Sequence, residues 1–165
     1  MKLIYLPAAI LMLSSCQMTQ STDPSLLSFS IPKGSTLALN KDLEIPNDKT
    51  HAMLQYGKVT TDRSRNDYEV NCRFDVKKFG PRTIKPEVFK ISRTENGGNM
   101  ISTAGIIRNY TDVHLVSDKG TDVIKLTCQE WAITRDKNFT VADMEKAVGD
   151  YFTFTFPQSS TAKQD

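Results

Sequence analysis

The residues of this 165-residue chain that could do chemistry are few, and they fall into three groups. Asp62, Asp67 and Glu69 stand close together in one polar stretch, a spacing that could supply the acid and base of a hydrolase; a solvated loop carries the same residues more often. His51-Ala52-Met53 would set an imidazole and a thioether on one face of an extended strand, the soft pair used by copper sites. Two ligands are too few for a metal, and Met53 reads better as packing. His114, the only other histidine, falls in a strand candidate and reads as a half-exposed sheet residue. Cys72, Cys128, His51 and His114 lack the short paired spacings of structural zinc. No Gly-rich phosphate loop, Gly-x-Ser-x-Gly elbow or His-Glu-x-x-His helix occurs. No catalytic residue, metal or cofactor is therefore assigned.

Charge gives a stronger lead. Lys77, Lys78, Arg82, Lys85, Lys90 and Arg93 face only Glu87 within their segment, a local excess of five positive charges in a chain whose net charge is +2. That excess suits an anionic ligand, such as the carboxylates or phosphates of a cell envelope, and equally suits a solvated rim. Acidic counterparts lie elsewhere, at Asp42, Glu44 and Asp48 and at Asp143, Glu145 and Asp150. The near-neutral total argues against a nucleic-acid partner.

The start of the chain is an export signal. Lys2 supplies a short positive end, Leu3 to Leu13 are almost wholly apolar, and Ser14-Ser15 bring small residues up to Cys16. As a helix the apolar run would be about 16 Å long, roughly half of a hydrocarbon core, too short to span it. Leu13-Ser14-Ser15-Cys16 resembles the lipobox of bacterial lipoproteins. The resemblance implies that residues 1–15 are removed and that Cys16 carries lipid as the first residue of the mature protein. Gln17 follows where retention in the inner membrane commonly uses Asp, so the resemblance implies the outer membrane, with the domain facing the periplasm.

An exported chain meets an oxidising compartment, and its two remaining cysteines, Cys72 and Cys128, read as a disulfide. Hydrophobic content of 39 % and charged content of 24 % are ordinary for one globular domain. Residues 16–30 read as a lipidated end and flexible tether, 31–157 as a single β-rich domain, and 158–165 as a frayed tail.

Within the domain the dominant period is two. Val70, Cys72, Phe74 and Val76 alternate with Glu69, Asn71, Arg73 and Asp75, and Phe152, Phe154 and Phe156 alternate with Tyr151, Thr153 and Thr155. Further strands are predicted over 36–39, 52–59, 88–93, 110–116 and 123–133. Pro32-Lys33-Gly34, Pro46-Asn47-Asp48, Gly80-Pro81, Asn96-Gly97-Gly98-Asn99 and Asp118-Lys119-Gly120 read as turns, the last closing a hairpin. Cys72 and Phe74, and Cys128 with Ile124 and Leu126, point both thiols inward. One helix is predicted over 141–148, capped by Thr140, with Asp143 in its first turn, Gly149 at its end and Phe139 and Met144 as a hydrophobic staple. These elements predict a mainly β fold, an antiparallel sandwich or small barrel with one short helix near the C-terminus. An immunoglobulin domain would place its Trp between the cysteines, whereas Trp131 follows the second.

Gly34, Leu39 and Ile45-Pro46, then Tyr68 and Cys72, then Pro86, Phe89 and Ile91-Ser92-Arg93 resemble a group of uncharacterised proteobacterial lipoproteins, which implies an address and no activity. The expected function is a non-catalytic binding or structural module at the periplasmic face of the outer membrane, held by its lipid and contacting an anionic component or another envelope protein. The alternative is an envelope hydrolase using the loop carboxylates.

Overall fold

A computed structural model describes residues 21–133 and 138–157. The expected export signal over 1–15, the expected lipid-bearing Cys16 and the expected tail over 158–165 lie outside the described residues.

The fold is mainly β with one short helix near the C-terminus. The strands are β1 (Thr36–Leu39), β2 (Leu43–Ile45), β3 (His51–Gln55), β4 (Lys58–Thr60), β5 (Asn71–Val76), β6 (Arg82–Ile84), β7 (Glu87–Met100), β8 (Ile107–Val116), β9 (Val123–Ala132) and β10 (Phe152–Thr155). Eight form one antiparallel sheet in the order β10-β1-β7-β8-β9-β5-β3-β4, curled into a half-barrel, while β2 pairs with β6. The curl has local causes: the ladder slips between Ile91 and Arg93, and again opposite Asp75 and Val76. An extra residue on one strand bends it and increases its twist.

One face of the curl holds the core. Leu37, Leu54, Phe74, Phe89, Val113 and Leu126 are fully buried there, and the Phe74 ring meets those of Phe89 and Phe152 at 5.8 and 5.2 Å. Helix α1 (Val141–Val148) closes that face with Val141, Met144, Ala147 and Val148. Its start is the expected one. The Thr140 hydroxyl accepts from the Asp143 N–H while the Asp143 carboxylate accepts from the Thr140 N–H, so two end donors are satisfied at once. At the other end the Gly57 N–H donates to the Ala147 carbonyl at 3.0 Å. A Cβ on Gly149, whose φ is +56°, would lie 2.4 Å from the Gly57 Cα, so glycine alone lets the helix end rest on the β3–β4 turn.

Cys72 and Cys128 form a disulfide, on the core side as predicted. It joins directly opposite residues of neighbouring strands, β5 and β9, with a Cα–Cα distance of 4.0 Å, rather than two stacked sheets.

Four details differ from the sequence reading. The slip opposite Asp75 and Val76 turns Val123 inward and leaves Ile124 exposed, so Ile124 does not share the face of Cys128. Tyr68 and Glu69 precede β5, and Asn71 and Asp75, expected to be wet, are buried. Asn96 to Asn99 continue β7 instead of turning, and the chain reverses between Met100 and Ile107. Finally, part of the expected tether lies against the domain: the Pro24 carbonyl accepts from the Ala142 N–H, and Phe29 meets Phe156 edge-on at 5.1 Å.

Candidate functional site

Strand alternation that buries Leu54, Cys72, Phe74, Leu126 and Val113 sends their neighbours to the opposite face. There the register lines up His51, Asp75, Lys125, His114 and Arg93 in one row, and Met53, Arg73, Thr127, Asp112 and Glu95 in the next. The result is a lattice of charged and polar side chains on the outside of the half-barrel.

A cleft of about 290 Å³ opens in this face. Its floor is Met53, Arg73, Thr127 and Gln129, and its walls are Arg65, Ile101, Arg108 and Trp131. The loop between β4 and β5 forms one wall because it is tied down at several points. The Gln55 side chain donates to the Asn66 carbonyl at 2.7 Å, the Asp67 carbonyl accepts from the Trp131 N–H at 2.6 Å, and Tyr68 packs edge-on against the Trp131 ring. Three guanidinium groups thus meet in a lining that, among the described residues, contains no carboxylate.

Their hydrogen bonds differ. Arg65 is spent on carboxylates, with Nε donating to Asp67 at 2.6 Å and Nη1 to Asp62 at 3.3 Å. Arg73 reaches Asp75 through Nε at 3.0 Å. Arg108 donates through Nε to the Gln129 side-chain oxygen and lies 5.0 Å from the Tyr110 ring centre, a cation–π stack. Among the described residues no carboxylate pairs with Arg108, and the Nη groups of Arg73 and Arg108 have no hydrogen-bond partner. Burial pushes the Asp75 carboxyl above its ordinary range, against the pull of Arg73, His51 and Lys125.

The structure places the sequence-predicted cations differently. Arg82 pairs with Asp122 at 2.6 Å, Lys85 with Asp42 at 2.6 Å, Lys90 with Asp118 at 2.8 Å and Arg93 with Glu95 at 2.8 Å. The main-chain N–H of Lys78 also donates to Asp122. Burial acts to raise the Asp122 carboxyl, but Arg82 and that N–H outweigh it and hold it below the ordinary value. Three of the six cations are therefore matched by an acid from another segment, and Arg93 by Glu95 two residues on in the same strand; the ammonium groups of Lys77 and Lys78 have no carboxylate partner among the described residues.

The loop carboxylates form ion pairs. Asp62 takes Lys49 at 2.9 Å, His51 at 3.1 Å and Arg65 at 3.3 Å, and the Lys49 hydrogen bond chiefly holds it ionised below the usual range. Asp67 is held by Arg65, whereas Glu69 lies apart, exposed beside Lys146. His51 and Met53 do share a face, but the imidazole is turned to Asp62 and Met53 is buried. Glu95, Asp112 and His114 bring ligand atoms within 4.8 Å of one another. Burial would raise the Asp112 carboxyl, yet Lys125 and Thr127 hold it low, and Arg93 holds Glu95. Both carboxylates of the group are thus already paired with a cation.

A second cleft, about 320 Å³, lies between residues 26–31, the start of α1 and the extended β7–β8 hairpin, and among the described residues its lining has no charged side chain. Sequence reading missed the arginine cleft, whose residues come from β3, the β4–β5 loop, β5, the β7–β8 turn, β8 and β9. The available signal was the outward phase of Arg73, Arg108, Gln129 and Trp131 in their strands.

No family model matches the chain, and no characterised protein or solved structure shows significant similarity to it.

Proposed function

We propose that the chain is a lipid-anchored protein of the bacterial outer membrane, with Cys16 bearing the lipid, whose β domain is a non-catalytic binding or structural module at the periplasmic face. The address is supported by the apolar start and the lipobox, and a disulfide suits an oxidising compartment. The binding reading is carried by one observation: an open, arginine-lined cleft on an otherwise ion-paired sheet face. The hydrolase reading is less favoured because Asp62 and Asp67 are taken up in ion pairs and Glu69 lies apart from them.

Crosslinking and pull-down of the lipidated protein from intact envelopes tests the module. Recovery of one envelope component, lost when Arg73 and Arg108 are changed, is the expected result; recovery unaffected by them would overturn it. Cys16→Ser tests the address and should abolish membrane partition. Unchanged mass and unchanged partition would refute lipidation.

A further inference from the structure

We propose that the cleft between Arg65, Arg73, Arg108 and Trp131 binds a small ligand carrying one carboxylate on an apolar body; this deepens the binding-module reading and rests on it.

The local charge balance sets the ligand's charge. Arg65 is answered by Asp67, Arg73 by Asp75, Lys49 by Asp62 and Lys125 by Asp112. Of the three arginines that line the cleft, Arg108 alone has no acid among the described residues, so one negative charge completes the lining. A carboxylate supplies one charge; a phosphate dianion would bring one too many.

The hydrogen-bonding geometry agrees. Arg73 and Arg108 both spend Nε on protein acceptors, which fixes each guanidinium plane, and both leave Nη donors unclaimed at the cleft. Fixed guanidinium forks recognise planar two-oxygen anions at low ordering cost. Tyr110 supports Arg108 from behind. The remaining surface, Trp131, Ile101 and Met53, is apolar and suits the body that carries the carboxylate. A volume near 290 Å³ limits the occupant to a small molecule or the end of a chain.

Carboxylate-terminated peptides and free organic acids share this chemistry, and the test separates them. Trp131 is the only tryptophan and lies in the wall, so its fluorescence reports occupancy directly. Full-length protein purified in non-ionic detergent is titrated with acetyl-alanyl-alanine, its C-terminal amide, benzoate and inorganic phosphate. Either carboxylate should give a saturable change, the amide none, and phosphate weaker binding. The better carboxylate names the source. Arg108→Gln should weaken that probe at least tenfold with an unchanged melting temperature, and Arg108→Lys should restore only part. Arg73→Lys, which keeps a cation beside Asp75, should weaken it several-fold. The triple change Lys85→Glu, Lys90→Glu and Arg93→Glu should leave it unaltered. No saturable response, equal response to the amide, tighter phosphate binding or indifference to Arg108→Gln would each overturn the proposal. If the probes fail while the envelope pull-down succeeds, the cleft assignment falls and the module stands; if the probes bind but the pull-down and lipidation fail, the cleft stands and the address falls.

Discussion

The segment Lys77 to Arg93 and the arginine cleft are both cationic, yet they reach that state by opposite routes. The segment is dense in the chain and sparse in effect, because Asp42, Asp118 and Asp122 arrive from other segments to meet Lys85, Lys90 and Arg82, and Glu95, two residues on in the same strand, takes Arg93. The cleft draws single arginines from distant places and leaves one of them without an acid. Folding redistributes charge over distances that a sequence window cannot see. An uncompensated charge in a concave site, and not charge density along the chain, marks the better candidate for recognition.

The largest expected effect separates the two regions by stability. Removing the disulfide with Cys72→Ser and Cys128→Ser releases a link of sequence separation 56. It should cost about 4 kcal/mol in the chain-entropy picture, read from denaturant midpoints. Because the bond joins β5 to β9, the strands that make the cleft floor, carboxylate binding should weaken in the fraction that remains folded.

Next in size, Arg73→Ala leaves the buried Asp75 without its nearest cation. About 1–2 kcal/mol of stability should be lost at neutral pH, reduced from a fully buried pair because Arg73 is partly exposed. Lys85→Ala, across an exposed pair, should leave the melting temperature unchanged. Equal effects at both positions would erase the distinction drawn between the regions.

Acid sharpens the comparison further. Asp75 is raised by burial while Asp122, opposed by burial but overcome by Arg82 and the Lys78 N–H, is lowered. On acidification Asp75 should protonate first, seen by carbon NMR of the two carboxyls, and should free Arg73 for the ligand. Affinity for a carboxylate probe should then rise as the pH falls, until the probe itself protonates. A raised folded-state pKa adds stability as the pH falls through it. A lowered one adds stability that is present above the unfolded value and is lost below it. Asp112, Asp122, Asp143 and Glu87 are all lowered, so the fold should weaken once the pH drops below the ordinary values of 3.8 and 4.5.

The smallest effect concerns masking. Asp42→Asn with Asp118→Asn should expose Lys85 and Lys90 and raise binding to anionic lipid vesicles a few-fold at low salt, with the gain gone at moderate salt. No gain would show that these pairs do not limit the segment.

Much of the fold was legible because local rules agree with it. Phe74 and Phe154 alternate as strand residues should, and Thr140, Asp143 and Gly149 spell both ends of the helix. The failures have physical reasons. Asn96-Gly97-Gly98-Asn99 has turn composition, yet Gly97 lies opposite Tyr110, and a Cβ there would come 2.4 Å from the phenol oxygen. The glycine makes room for a ring, which no window around residue 97 reveals. Ile124 faces solvent because of a slip in pairing with β5. The cleft was hidden for the same reason as the neutralised segment, since each depends on register between strands and not on the phase within one.

The place of β1 in the sheet has a mechanical consequence. It lies between β7 and β10, antiparallel to both. A pull entering the chain ahead of Thr36 acts along β1, so two ladders of hydrogen bonds that run across the strand are loaded together in shear. A pull entering after Thr155 acts on β10, an edge strand with a single ladder. Resistance to a pull should therefore be greater at the front of the sheet than at its tail.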